Sequence, residues 1–140
     1  MPALARLCVS IGHIFGCRVQ TNIYFTPPHA QGFRPHWDTH DVFVLQVAGT
    51  KSWSVYDTKV TLPLKGQGFD LDQHEPGPWS GQFELGLGDV AYLPRGLMNS
   101  ATSGDRASLH ITLGLTAFIW VDFFSKACPA ALADESLRAS

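Results

Sequence analysis

The chain has 140 residues, of which 45% are hydrophobic and 16% are charged, and its formal net charge is −2. A chain of this length fits one domain with a buried core, and its apolar fraction excludes a largely disordered protein. Ten basic residues are balanced by twelve acidic ones, so there is no basic field and direct nucleic-acid binding is not expected. Thirteen glycines and nine prolines favour a turn-rich β protein.

The cysteines and the apolar segments predict a soluble protein of the cytoplasm. The three cysteines, at positions 8, 17 and 128, have no CxxC spacing, which predicts reduced thiols and not a disulfide framework. No signal peptide is evident at the N-terminus. The longest apolar run, 113–121, has about half the length that a membrane span needs, so no membrane insertion is expected.

The first part of the chain is predicted to form one helix and three strands. Apolar residues recur at helical spacing over about 3–15, which is typical of an amphipathic helix. Residues 19–25 are predicted to form a strand that ends at two prolines. Hydrophobic residues alternate over 42–47, and an Ala-Gly-Thr turn at 48–50 leads into the next strand. This pattern predicts a β-hairpin.

A long loop and three more strands are predicted after the hairpin. Residues 57–80 are polar and rich in Gly and Pro, which indicates a loop at the rim of a sheet. Two short strands flank the glycines of 86–88, and a further strand covers 106–115.

These elements predict one domain over the whole chain, 1–140. Many short strands in few residues are typical of a barrel or jelly roll, which is expected at about 18–115. A helix of about 3–15 precedes the barrel. A second helix, at about 116–128, and a tail, 129–140, follow it.

His36 and Asp38 form the most informative pair of residues for chemistry. In an extended segment, residues two apart point to the same side, with Cα atoms roughly 6.5–7 Å apart. An imidazole and a carboxylate placed in this way can bind one metal ion. They make up two thirds of the two-histidine, one-carboxylate set that holds iron(II) in oxygenases. Taken alone, however, this short pattern is more often a polar strand edge.

A second motif, GDVAYLPRGLMN at 88–99, is similar to the second cupin motif, whose Pro and Gly shape a turn and whose final His is a metal ligand. With TNIYFTPPHAQGFRPHWDTHDVFVLQVAGTKSWSVYD and SLHITLGL, the chain resembles the JmjC-type ribosomal oxygenases, which are cupin-like 2-oxoglutarate-dependent hydroxylases. The resemblance implies an all-β core, a double-stranded β-helix or jelly roll, with flanking α-helices. It also implies Fe(II) as cofactor and 2-oxoglutarate as co-substrate.

The resemblance assigns a role to each matching residue. His36 and Asp38 would be the metal ligands at the catalytic centre. Lys51 would pair with the distal carboxylate of 2-oxoglutarate, since a lysine that faces into a barrel needs an anion. A solvated lysine in the hairpin turn is the alternative for this position. Three further positions match residues that line the co-substrate pocket: Asn22, Tyr24 and Thr112.

Asn99 departs from the family pattern, because it stands where PRGxxH has its second histidine ligand. An amide oxygen can bind a divalent metal, but it is a neutral, harder and weaker donor than imidazole. Three interpretations remain open: Asn99 is a weak metal ligand, another group substitutes, or the metal site is inactive. His40 could substitute only if the chain turns at Thr39, and the sequence does not determine the direction of His110.

The predicted function is a 2-oxoglutarate- and Fe(II)-dependent dioxygenase that hydroxylates a side chain of a protein or peptide substrate. The resemblance suggests a ribosomal protein as that substrate. The main alternative is a JmjC-like pseudoenzyme that binds a peptide without turnover, and a third is a cupin that binds another metal or a small acid. Family members continue after the barrel into helices that dimerise. The apolar face of 117–128 is therefore predicted to be either a homodimer surface or the end of a fragment.

Overall fold

The computed structural model describes residues 2–138, which form seven β-strands and two α-helices. The N-terminal helix is α1 (Pro2–Phe15), and the second helix is α2 (Trp120–Ala133), which is followed by a 3-10 turn, Glu135–Arg138. The strands between the helices are β1 (Arg18–Thr26), β2 (Asp41–Ala48), β3 (Lys51–Tyr56), β4 (Trp79–Leu85), β5 (Val90–Leu93), β6 (Met98–Ser103) and β7 (Ser108–Thr116). This order confirms the predicted β-rich core with a helix at each end.

The strands form two antiparallel sheets that pack against each other. One sheet has the order β1-β7-β2-β5 and the other β4-β3-β6. Buried apolar side chains of both sheets meet in one cluster: Val42, Val44 and Leu93 of the first sheet, and Trp53, Leu85 and Ala101 of the second. This two-layer arrangement, in which the chain passes between the sheets after β2, β4, β5 and β6, is the predicted jelly roll.

Strand β2 shows why the alternation in the sequence predicts a half-buried strand. Val42 and Val44 point into the core and are buried, whereas Phe43 and Leu45 lie on the other face and are half-buried. On that outer face Phe43 packs against Phe15 of α1, with ring centroids 5.9 Å apart. The N-terminal helix therefore covers part of the outer surface of the four-stranded sheet.

The tight turn between β2 and β3 requires Gly49. Its φ is 65°, and a Cβ at this position would overlap the carbonyl oxygen of Ala107. We expect Gly49→Ala to lower the free energy of unfolding by more than about 2 kcal/mol, as measured by urea denaturation. Gly104→Ala is the matched control, because a Cβ at Gly104 would meet no atom within 4 Å. Equal losses in the two variants would contradict this role of Gly49.

The C-terminal helix lies further along the chain than the predicted 116–128. Thr116 still pairs with Arg18 of β1, so the first residue of the predicted helix belongs to the end of β7. The helix covers 120–133, and the predicted tail, 129–140, therefore begins inside it. Residues 139 and 140 of that tail lie outside the described residues, as does the first residue of the chain.

Helix α2 begins where a carboxylate caps it. Asp122 accepts a hydrogen bond from the backbone N–H of Ile119 at 3.2 Å, which satisfies a backbone donor at the start of the helix. The same carboxylate pairs with the ammonium of Lys65 at 3.1 Å. Large aromatic side chains of this region are exposed, including Phe118 and Trp120. No helix among residues 2–138 is long and apolar enough to cross a membrane.

Candidate active site

A cavity of about 500 Å³ between the sheets brings together all the predicted site residues. The sequence separates these residues over four strands and a loop. Each of the seven lines the cavity: Asn22, Tyr24, His36, Asp38, Lys51, Asn99 and Thr112. The rest of the wall includes apolar side chains of the core, such as Val42, Val44 and Leu93. The cavity is therefore polar on some sides and closed by the hydrophobic core on others.

The segment between β1 and β2 places His36 by running alongside β6. The backbone N–H of Gly32 donates to the carbonyl oxygen of Ala101 at 3.0 Å. His36 and Asn99 exchange both backbone hydrogen bonds, at 3.0 and 2.9 Å. Residues paired in this way have Cα atoms roughly 5.5 Å apart and side chains on the same side. The fold therefore places Asn99 beside the first predicted metal ligand.

Trp37, between the two residues of the HxD motif, anchors the long loop 57–78 below the site. Its indole N–H donates to the carbonyl oxygen of Gln67 at 3.2 Å. The rings of Phe69 and His74 contact it edge-on, with centroids 5.0 and 4.5 Å away. Because this indole is only 4% exposed, it holds the backbone of the motif in one place.

Three side chains present donor atoms that suit a metal. The Nδ1 of His36 lies 2.8 Å from the carbonyl oxygen of Arg34, and donation to that oxygen leaves the lone pair on Nε2. The amide Nδ2 of Asn99 donates to the carbonyl oxygen of Leu97 at 2.9 Å, so the amide oxygen faces the other way. Within the described chain, neither that oxygen nor the Asp38 carboxylate accepts a hydrogen bond.

These donor types suit a divalent metal, although an amide oxygen is a weaker third ligand than a second imidazole would be. Among residues 2–138, no three His, Cys, Asp or Glu side chains form a group that could hold a metal ion. The chain does bend at Thr39, and the rings of His40 and His110 line the cavity, yet neither completes such a group. The remaining predicted donor that lines the cavity is the amide oxygen of Asn99.

Lys51 is buried in the wall of the same cavity. Its side chain is 3% exposed, and its Nζ donates to the hydroxyl of Thr26 at 2.8 Å. Nδ1 of His110 lies 3.5 Å away. Burial lowers the pKa of Lys51, and no carboxylate of the described residues pairs with it. The alternative of a solvated lysine in the hairpin turn is therefore wrong.

Aromatic rings surround His110 and keep it neutral. Tyr24 stacks on the imidazole with centroids 5.0 Å apart, and Trp53 contacts it edge-on at 5.6 Å. Burial and then the nearby charge of Lys51 lower the pKa of His110 to about 4. In addition, Nε1 of Trp53 is buried without a hydrogen-bond partner among the described residues.

Three of these residues were not predicted to have a role in the site, although strand periodicity could have found them. Thr26 lies two residues after Tyr24, and Trp53 lies two residues after Lys51. His110 precedes Thr112 by the same interval. Side chains two apart on a strand share a face, so each predicted residue of the cavity identifies a neighbour that points the same way.

The neutral His110 makes the fold sensitive to acid. The unfolded chain binds a proton at His110 near pH 6.5, whereas the folded chain binds it near pH 4. Stability from this residue is therefore complete above pH 6.5 and is lost as the pH falls from 6.5 to 4, by about 3 kcal/mol. Urea denaturation between pH 7 and pH 4 should show this loss, and His110→Gln should reduce it. The exposed His13→Gln is the control, and an equal effect there would contradict the prediction.

The unsatisfied groups around Lys51 fit a carboxylate. An ammonium has three donors, of which one has a short partner in Thr26. The indole N–H of Trp53 is a further unused donor. A buried cation without an anion and a buried donor without an acceptor both cost free energy. A carboxylate at Lys51 would relieve the first of these costs.

The family model of the JmjC domain matches residues 2–123. The chain belongs to the JmjC domain family. It is 45% identical over 111 residues to the bifunctional lysine-specific demethylase and histidyl-hydroxylase NO66 of Drosophila persimilis. The matched segment covers 79% of this chain and 16% of that protein. The protein of the same name from Dictyostelium discoideum is 40% identical over 132 residues, and this match covers 91% of this chain and 26% of that protein. This JmjC domain thus spans a minor part of the length of these relatives.

Solved structures of the same architecture confirm the predicted fold of this JmjC domain. The Escherichia coli ribosomal oxygenase YcfD, in complex with cobalt and 2-oxoglutarate, is similar with a TM-score of 0.64 and 22% identity. The similarity covers 92% of this chain and 32% of that chain. Together with the family match, it confirms the predicted JmjC domain and its double-stranded β-helix.

Proposed function

We propose that this JmjC domain is a metal- and 2-oxoglutarate-dependent oxygenase that hydroxylates a side chain of a protein substrate. The observation that carries the proposal is the shared cavity, where His36, Asp38 and Asn99 present metal donors near the buried Lys51. The names of the relatives, a histidyl-hydroxylase and a ribosomal oxygenase, support a protein substrate, and we propose a ribosomal protein. We also propose Fe(II) as the metal and the cytoplasm as the location.

Each group of residues has a separate task in this proposal. His36 and Asp38 would hold the metal, with Asn99 as the weaker third ligand. Lys51, supported by Thr26, would hold the distal carboxylate of 2-oxoglutarate. When bound, the metal and 2-oxoglutarate supply the activation of oxygen that hydroxylation of a C–H bond needs. The apolar wall of the cavity excludes water from this chemistry.

An anaerobic titration with Mn(II), a stand-in for Fe(II), tests the metal half of the proposal. Calorimetry with and without 2-oxoglutarate should show micromolar or tighter binding that 2-oxoglutarate strengthens. The absence of binding up to millimolar Mn(II) would rule out the oxygenase. Incubation with Fe(II), 2-oxoglutarate, oxygen and isolated ribosomal proteins, followed by mass spectrometry, would then identify a substrate by the gain of one oxygen atom.

A pseudoenzyme that binds a peptide is the second candidate, and the neutral donor at Asn99 favours it. Such a protein would retain the cavity but form no succinate from 2-oxoglutarate in the presence of Fe(II) and oxygen. Succinate formation above that of the His36→Ala variant would contradict it. The homodimer and the single-domain organisation stay predictions, and sedimentation equilibrium would test the dimer.

A further inference from the structure

We propose that strand β1 pairs with the β1 strand of a second copy of this chain, so that two domains share one continuous sheet. This interface is separate from the cavity and from the exposed aromatic side chains of α2, and it does not depend on the proposed function. An unprotected sheet edge, exposed apolar side chains beside it and the pattern of the strand itself lead to this inference.

The outer edge of β1 has no partner strand. β1 is the last strand of its sheet, and within residues 2–138 it pairs with β7 alone. In an antiparallel ladder, alternate residues bond to one neighbour, so roughly half of the nine residues of β1 direct an N–H and a C=O group to the open side. No loop or helix backbone in the described chain bonds to this strand. Such a row of unpaired groups is a template for a further strand.

The sequence of β1 does not protect this edge against pairing. Edge strands of native proteins are usually short, charged or interrupted by proline. β1 contains no proline, and its one charged residue, Arg18, is the first of the strand. By contrast, the edge strand β5 has four residues, the edge strand β4 carries Glu84, and the segment 31–36 bridges to the edge of β6. Among the described strands, β1 therefore has the edge that is most open to a partner.

Exposed apolar side chains lie beside this edge. Ile23 and Phe25 are 55% and 69% exposed, and they share one face of β1 because they are two residues apart. Helix α1 lies against the start of the same face, since a Cβ at Gly12 would be 3.7 Å from Cγ2 of Val19. That helix also leaves large apolar side chains exposed, such as Ile14. A partner that covers both surfaces would remove this apolar area from water.

The pattern of β1 favours a second copy of the chain as that partner. A twofold axis through Asn22, perpendicular to the sheet, pairs all nine residues and places Val19 opposite the partner's Phe25. Thr21 then lies opposite the partner's Ile23, and opposite residues share a face. Because Val19 lies against α1, each α1 comes close to the exposed Phe25 of the other copy. Two four-stranded sheets thus join into one, and no two like charges face each other in the ribbon.

Sedimentation equilibrium from about 1 to 200 µM protein tests the inference. We expect a dimer with a Kd on the order of micromolar to tens of micromolar, as a small interface gives. Ile23→Lys places a charge beside the paired edge and should raise this Kd by about tenfold or more. Leu87→Lys, in a turn and 77% exposed, is the matched control and should leave the Kd unchanged. A chain that is monomeric at the highest concentration would overturn the inference and leave the edge to a strand of another protein.

Phe124→Lys distinguishes this interface from a dimer that forms through α2. Phe124 is exposed on that helix, so this variant should dimerise as the unmodified chain does. Loss of the dimer in Phe124→Lys, with Ile23→Lys unaffected, would overturn the β1 interface. None of these outcomes bears on the proposed function, because the metal and co-substrate sites lie in the cavity of each single copy.

A disulfide at the twofold axis tests the register and does not require a tight dimer. In a chain whose three native cysteines are replaced by serine, Asn22→Cys places each thiol opposite its own copy, with Cβ atoms about 4.5–5.5 Å apart. Oxidised glutathione should then convert the two thiols into one disulfide that links the copies. Gln20→Cys is the control, because its two copies would be about 13 Å apart along the ribbon. Equal cross-linking of both variants, or of neither, would overturn the inference.

Discussion

Asn99→His is expected to tighten Mn(II) binding by about tenfold or more, because it replaces a neutral amide oxygen with an imidazole. The backbone of Asn99 pairs directly with that of His36, so the new ring would start from the same side of the strand as the first ligand. Anaerobic calorimetry measures the affinity. The formation of succinate from 2-oxoglutarate with Fe(II) should increase in parallel if the metal centre limits turnover.

Two further variants decide whether position 99 is responsible. Asn22→His places an imidazole on the exposed rim of the same cavity, and it should not raise the affinity for Mn(II). Asn99→Ala removes the amide and should weaken the binding of Mn(II) if the oxygen is a ligand in the natural chain. An Asn99→Ala variant that binds Mn(II) unchanged would show that the amide is no ligand. An equal gain in the two histidine variants would mean that any added imidazole in the cavity suffices.

Local patterns in the sequence predicted the strands and the metal end of the site. The alternation over 42–47 and the turn at Gly49 depend on neighbours in the chain, and the structure has both. His36 and Asp38 are two residues apart in an extended segment, so their convergence is also a local property. The departure at Asn99 could be found because the adjacent Pro-Arg-Gly turn aligns the motif.

Other features depend on contacts between distant residues, and periodicity alone could not predict them. Whether Lys51 faces water or the core depends on the pairing of β3 with β4 and β6, which lie far along the chain. The end of β7 depends on the pair between Thr116 and Arg18, since the composition of 113–121 is compatible with a helix or a strand.

Lys51→Met is expected to raise the free energy of unfolding of the ligand-free protein by about 1–2 kcal/mol. The substitution removes the cost of burying an ammonium without an anion, which exceeds the loss of the hydrogen bond to Thr26. Burial lowers the pKa of Lys51 from 10.5. The cost is therefore complete below the lowered pKa and declines as the pH rises toward 10.5, so stability should rise with pH in that range.

Urea denaturation with and without ligand would test this balance between stability and binding. Lys59→Met, at an exposed position, is the control and should change the stability by less than about 0.5 kcal/mol. A Lys51→Met variant that is less stable than the unmodified chain would show that the ammonium is already compensated inside the fold. At a 2-oxoglutarate concentration that saturates the unmodified chain but lies well below the Kd of the variant, the order should reverse, because only the unmodified chain is then stabilised appreciably by the ligand. That reversal would mean that Lys51 is retained for an anion at a cost to the fold.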